Sequence, residues 1–252
     1  MNTYLENYLK SKDYEKIADE SVKFIRDWFA ENGPDSKAVI GISGGKDSSV
    51  VAAMCVKALG RGRVIGVMMP NSVQPDIDVS KKLVDFLGIE NYEINIKNGY
   101  DGIVGEITGK GIGLSKQAKV NLGPRVRMSV LYAVAQCVNG RVSCNGNRSE
   151  RYVGYFTKNG DGAGDFAPLA NLTVHEVRLV GKYLGLPDEF TMKAPADGLT
   201  GLTDEDNLGF TYEALDTYIL TGVCEDPDIR AKIDAKHAWN EFKLLPMPVF
   251  EF

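Results

Sequence analysis

The run Gly41-Ile42-Ser43-Gly44-Gly45-Lys46-Asp47-Ser48 is the densest concentration of chemistry-bearing residues in the chain. Paired glycines let a backbone turn tightly and approach a ligand closely. Successive backbone N–H groups that open a helix form a cradle for an anion; Ser43 and Ser48 add hydroxyl donors and Lys46 a point charge. Asp47 would oppose an anion on its own, so its presence suggests a Mg²⁺ bridging its carboxylate to phosphate oxygens. A Walker A loop is excluded, because Ile40 stands where that pattern needs glycine and Asp47 where it needs serine or threonine. The plainer alternative is a glycine-rich turn with no ligand, its aspartate merely favouring a helix dipole.

Such a loop needs a strand before it and a helix after it, and the hydropathy pattern supplies both. An apolar run over 38–42 precedes the loop, and a small-residue helix over 48–59 follows it, closed by Gly60. Upstream, Ile17, Ser21, Phe24, Ile25 and Trp28 keep helical spacing until Gly33-Pro34. Downstream come a strand over 63–69, a helix ending at Leu87-Gly88, and a strand over 92–96. Alternating strands and helices of this kind predict an α/β fold, with a Rossmann-like parallel sheet carrying helices on both faces.

Farther on, Pro124 predicts a helix start, continued by Met128, Leu131, Val134 and Val138, and 141–144 predicts a fourth strand. A long polar, glycine-rich loop is expected to about 171, and loops of that size are usually functional. Thr173-Val174-His175-Glu176 reads as a capping box opening a helix, with His175 structural. Two more helices and a proline-rich end, KLLPMPVFEF, complete the chain.

Composition narrows the classes. The 252 residues are 44% hydrophobic and 25% charged, ordinary for a globular chain and compatible with a single domain over 1–252. The net charge of −5 argues against a protein that coats nucleic acid, and no apolar stretch has membrane-spanning length. Four cysteines form no C-x-x-C pair, so zinc-finger spacing is absent, a reducing cytoplasm is the default, and the thiols are expected as small buried residues.

The S-G-G-x-D-S loop after the first strand resembles the pyrophosphate-binding loop of the ATP-pyrophosphatase superfamily. Three further stretches resemble NAD synthetases within it. They are Asn121-Leu-Gly-Pro-Arg125-Val-Arg127-Met128; Cys144-Asn145 to Ser-Glu150 with the following G-Y-F-T-K-N-G-D-G-A-G-D and Pro168-Leu; and Leu208-Gly209 to Asp216 with Lys236-His237. Gln74 also falls where that family places a glutamine. The resemblance covers about residues 14–250.

That resemblance implies amidation of deamido-NAD to NAD with ATP and ammonia, through an acyl-adenylate, with Mg²⁺ as the metal. It implies Asp47 and Glu150 as metal positions, with residues 41–48, Asn145 and Lys193 at ATP. Arg125, Lys158, Asp165 and His237 would face deamido-NAD, and Asp165 would also help deprotonate ammonium. A homodimer is implied, with the N-terminal helix and the helix near 125–139 at the interface. The glycine-rich 105–123 and 196–207 stretches would be mobile lids.

Some positions depart from the family pattern. Ala196 stands where serine or threonine is common, Ala238 and Val174 where lysine occurs, and Asn145 replaces the usual threonine. None removes a metal carboxylate. The glutamine-dependent branch adds a nitrilase-like glutaminase domain for which this length leaves no room, so free or separately supplied ammonia is expected. Two alternatives stay open: another ATP-pyrophosphatase (GMP-synthetase-like or tRNA-thiolating), and a non-catalytic nucleotide-binding module.

Overall fold

The computed structural model describes residues 1–74, 77–192 and 203–251. Two helices, α1 (Thr3–Lys10) and α2 (Tyr14–Asn32), lead into strand β1 (Lys37–Gly41) and helix α3 (Lys46–Leu59). Strand β2 (Val64–Met68), α4 (Ile77–Leu87), β3 (Glu90–Glu93), α5 (Lys97–Gly109), α6 (Lys116–Cys137) and β4 (Gly140–Val142) follow. The remainder is helical: α7 (Arg148–Val153), α8 (Val174–Tyr183), α9 (Asp188–Thr191), α10 (Asp204–Leu208), α11 (Tyr212–Thr221) and α12 (Pro227–Asn240).

The four strands pair in parallel in the order β3-β2-β1-β4. Alternation along the central strands divides the core. Ala38, Ile40, Val64 and Met68 face α2, α3, α4 and α8, whereas Val39, Ile65, Val67 and Val142 face Met128, Leu131 and Ala135 of α6. Side chains two residues apart share one face of a strand, so the apolar run of β1 serves both layers. A third cluster, including Val153, Leu208, Tyr212, Leu215 and Ile233, joins α7, α10, α11 and α12.

The expected α/β architecture is present, with four differences in detail. Strand β3 spans 90–93 against the predicted 92–96, because this edge strand is exposed along its length and the apolar signal comes from Ile94 and Ile96 just after it. Pro124 lies inside α6, which starts a full two turns earlier at the Ser115 N-cap; Ser115 Oγ accepts from Ala118 N–H at 3.1 Å. Within the stretch expected as a lid, residues 105–109 and 116–123 are helical. The polar stretch after β4 holds the six-residue helix α7. Of the other expected lid, 196–202 lies outside the described residues, and Thr203 caps α10. Cys55 and Cys144 are buried as expected, but Cys137 is exposed and Cys224 half-buried. No described helix is long and apolar enough to cross a membrane.

Candidate active site

Strand order reverses at β1, whose chain continues toward β2 on one side and whose other neighbour is β4. In open α/β sheets the crevice at the carboxyl ends of strands flanking such a switch is where ligands bind. The loops leaving β1 and β4 meet there. Asn145 Nδ2 donates to the Gly41 carbonyl at 3.0 Å, and its Oδ1 accepts from Ser143 Oγ at 2.8 Å.

The 41–48 loop turns on its glycines between β1 and α3, as expected. Gly44 has a φ of +79°, a left-handed turn that suits glycine, and Gly45 is an N-cap without a side-chain bond. The first helical bond of α3 runs from Ser49 N–H to the Gly45 carbonyl at 3.2 Å. The amides of residues 46–48 therefore have no partner inside the helix and form its electropositive end. Ser43 and Ser48 are wired together, Oγ to Oγ at 3.2 Å, with Ser48 Oγ also donating to the Gly45 carbonyl at 3.1 Å. Gln74 reaches the same loop, donating from Nε2 to the Ser43 carbonyl at 3.3 Å.

Lys46 does not present its charge to solvent. The side chain is 2% exposed and its Nζ pairs with Asp47 Oδ2 at 2.8 Å, 5.7 Å from the centre of the Tyr212 ring. Burial opposes its charge, but the neighbouring carboxylates of Asp47 and Glu150 outweigh that and hold the ammonium protonated above its ordinary range. Tyr212 in turn donates to Asp204 Oδ2 at 3.2 Å.

Glu150 arrives on α7. Asn147 caps that helix: its Oδ1 accepts from Glu150 N–H at 3.0 Å, and Glu150 Oε2 accepts from Asn147 N–H at 3.2 Å. Asparagine at an N-cap with glutamate three residues on is the sequence signature of this arrangement, so α7 was readable at that spacing. The other end of Asn147 leaves the helix, with Nδ2 donating to Asp47 Oδ1 at 3.1 Å. Burial, then the charge of Asp47, pushes the Glu150 carboxyl up to about 8, while Lys46 and the Asn147 N–H pull it down.

This donor set fits Mg²⁺. The site offers hard carboxylate oxygens from two elements; burial first, and then the Asp47 charge, raise the proton affinity of Glu150, and a cation would offset both. Among the described residues no group of three or more His, Cys, Asp or Glu could hold an ion unaided. Mg²⁺ characteristically takes one or two protein carboxylates and completes its shell with phosphates and water.

The remaining predicted residues fall into separate groups. Arg125 on α6 is exposed, with Nε donating to the Lys158 carbonyl at 3.4 Å. Lys158 Nζ donates to the Phe242 carbonyl at 3.2 Å, which ties this group to the C-terminal segment. His237 on α12 stacks on Tyr152, ring centres 4.1 Å apart, and its Nδ1 lies 2.7 Å from the Tyr152 carbonyl. Asp165 closes the end of β4, with Oδ2 accepting from Val142 N–H at 2.7 Å and Oδ1 from the Tyr132 hydroxyl at 3.3 Å. Lys193 lies outside the described residues, as does Ala196. His175 is half-buried and paired with the fully buried Asp216, in keeping with a structural role. The sequence assigned no role to Asn147 or Asp216, although both lie in the motifs quoted above, and did not single out Asp204.

Known proteins share this chain's sequence and fold. The family model described as NAD synthase matches residues 17–243. The NH3-dependent NAD synthetase of Finegoldia magna is 36% identical over 242 residues, covering 95% of this chain and 98% of that one. The Pyrococcus horikoshii NH3-dependent NAD synthetase is 42% identical over 205 residues, covering 81% and 77%. Among solved structures, an NMN synthetase from Francisella tularensis superposes with a TM-score of 0.87 at 34% identity, covering 96% of this chain and 100% of that one. An NH3-dependent NAD synthetase from Campylobacter jejuni superposes with a TM-score of 0.77 at 28% identity, covering 95% and 100%.

Proposed function

The chain belongs to the NAD synthase family, and from that premise we propose that it amidates deamido-NAD with ammonia, consuming ATP and releasing AMP and pyrophosphate. The observation that carries this reading is the Asn147 side chain, which joins the carboxylate of the anion cradle's Asp47 on α3 to the backbone amide of Glu150 on α7.

A carboxylate is a poor acylating agent, so one of its oxygens first attacks the α-phosphorus of ATP. The bond from that phosphorus to the bridging oxygen breaks, and pyrophosphate leaves. Ammonia then attacks the acyl carbon, the carbon–oxygen bond to AMP breaks, and the nitrogen sheds a proton. The amides of 46–48, with Ser43 and Ser48, bind the departing pyrophosphate; being fixed in advance, they need little reorganisation as charge develops. Asp47 and Glu150 would hold Mg²⁺, whose chemistry there is to draw off charge from the phosphate oxygens. Asn145 positions the nucleotide beside the β1 loop. Arg125, Lys158 and His237 bind the dinucleotide acid. Asp165, held by Val142 N–H, accepts the proton shed by ammonium.

The test incubates folded protein with deamido-NAD, ATP, Mg²⁺ and ammonium and measures NAD and AMP. Equimolar NAD and AMP support the reading, and no NAD from folded protein sinks it. Glutamine in place of ammonium is expected to give no product. The whole chain, 1–252, acts as one synthetase domain in a homodimer, so light scattering should give twice the 27.6 kDa chain mass.

A second reading has a specific observation behind it. The superposition on the NMN synthetase is closer than that on the Campylobacter enzyme, and Ala238 replaces a lysine frequent at a dinucleotide contact. The same amidation would then act on the mononucleotide acid. A higher kcat/KM for nicotinic acid mononucleotide than for deamido-NAD would select it.

A further inference from the structure

Beside Glu150 lies a side-chain network that the reaction itself does not use. Asp216 on α11 is wholly buried. Its Oδ1 accepts from Ser149 Oγ at 2.5 Å, and its Oδ2 accepts from the His175 backbone N–H at 3.0 Å and lies 2.7 Å from His175 Nδ1. Ser149 Oγ also accepts from Val174 N–H at 3.0 Å. One carboxylate therefore ties the second residue of α7 to the start of α8.

Helix α7 has only six residues, too few to hold a fixed orientation by its own hydrogen bonds. Its next residue, Glu150, must face Asp47 although the two carboxylates repel each other. Asn147 bridges the pair from one side, and the Ser149–Asp216 bond anchors the helix from another. A buried aspartate with its oxygens fully engaged is a rigid anchor, since any displacement leaves an unpaired charge in the interior.

We propose that Asp216, acting through Ser149, is a positioning residue that presets Glu150 opposite Asp47 for the metal–ATP complex. This rests on the reading of Asp47 and Glu150 as the metal carboxylates. His175 serves the other arm, holding α8, and contributes to stability rather than to the metal site.

The test uses the full chain with Mn²⁺ as probe in the presence of ATP, binding being followed by electron paramagnetic resonance. Ser149→Ala and Asp216→Asn are each expected to weaken Mn²⁺ binding by about tenfold or more, the scale typical of partners that orient metal ligands. The double variant should be no worse than the weaker single one, because both cut the same tether. His175→Gln should lower Tm while leaving the Mn²⁺ midpoint unchanged. In turnover, the Ser149→Ala variant should need more Mg²⁺ while keeping its KM for the dinucleotide acid. Ser149→Ala protein with a wild-type Mn²⁺ midpoint overturns the proposal, and it decides the matter even where Asp216→Asn fails to fold. Absence of amidation by the wild type would remove the functional reading, whereas the Mn²⁺ midpoints would still judge the tether.

Discussion

The amide of Asn147 donates to Asp47 Oδ1 at 3.1 Å across a hundred positions of sequence, while the same side chain caps the helix that carries Glu150. One residue thus sets the separation of the two carboxylates. Asn147→Ser separates the two tasks, because serine is as good an N-cap but too short to reach Asp47. We expect a Tm within a few degrees of wild type and a fall in kcat/KM of roughly tenfold or more. Asn147→Ala should lose the cap as well, at about 1 kcal/mol of stability. Equal kcat/KM for Asn147→Ser and wild type would remove the bridge from the account.

Asp47→Asn and Glu150→Gln each remove a formal charge with little change of shape. Each should lower kcat/KM by roughly 100-fold or more, the scale of losing one preorganised electrostatic contact to a reacting phosphate. Folding should survive, and the Glu150→Gln protein should gain thermal stability without Mg²⁺ at alkaline pH, since a crowded, half-buried charge has gone. Steady-state kinetics with a Mg²⁺ titration, alongside melting curves, checks both parts.

Burial and Asp47 raise the Glu150 carboxyl from its ordinary 4.5 to about 8. Between those values the folded protein binds more protons at this site than the unfolded chain does. The stability gained from that proton is fully present below 4.5 and is lost as pH rises toward 8. Metal-free protein should therefore lose Tm across this window, more steeply than Glu150→Gln. Saturating Mg²⁺ and ATP should flatten the slope, because a bound cation favours the ionised carboxylate. Identical Tm–pH curves for wild type and Glu150→Gln would refute it.

The sheet was legible because β1 and β2 are buried on both faces and read as apolar runs, and the glycine-rich turn after β1 marks its end. The edge strand β3, sequence ENYE, faces solvent, so its position was read two residues late, from Ile94 and Ile96 that follow it. Pro124 misled for a related reason: proline usually opens a helix, but here it sits inside one already capped at Ser115. The loop and Glu150 could be picked out by residue type. What sequence could not provide was partnership at a distance. The Asn147–Asp47, Ser149–Asp216 and His175–Asp216 bonds span 100, 67 and 41 positions, and nothing local records them. Lys46 shows the same limit: its type suggested a phosphate contact, but its surroundings turn it inward as a counter-ion to Asp47.

Gly154 closes α7 with φ +65°, and a Cβ built there would stand 2.1 Å from Asn240 Cβ on α12. Asn240 fastens the two helices by donating from Nδ2 to the Val153 carbonyl at 3.2 Å, one turn of α12 beyond His237 and its contact with Tyr152. Gly154→Ala combines a left-handed backbone that alanine resists with a collision against α12, which must shift outward. We expect a loss of about 1–3 kcal/mol from the backbone alone, measured by denaturant unfolding. Because α12 carries His237 whereas Asp47 and Glu150 lie on α3 and α7, the kinetic effect should fall on recognition of the dinucleotide acid. Its KM should rise several-fold while kcat at saturation and the Mg²⁺ midpoint stay near wild type. A variant that loses kcat and Mg²⁺ affinity with an unchanged KM would show instead that α12 supports the metal side of the crevice through α7.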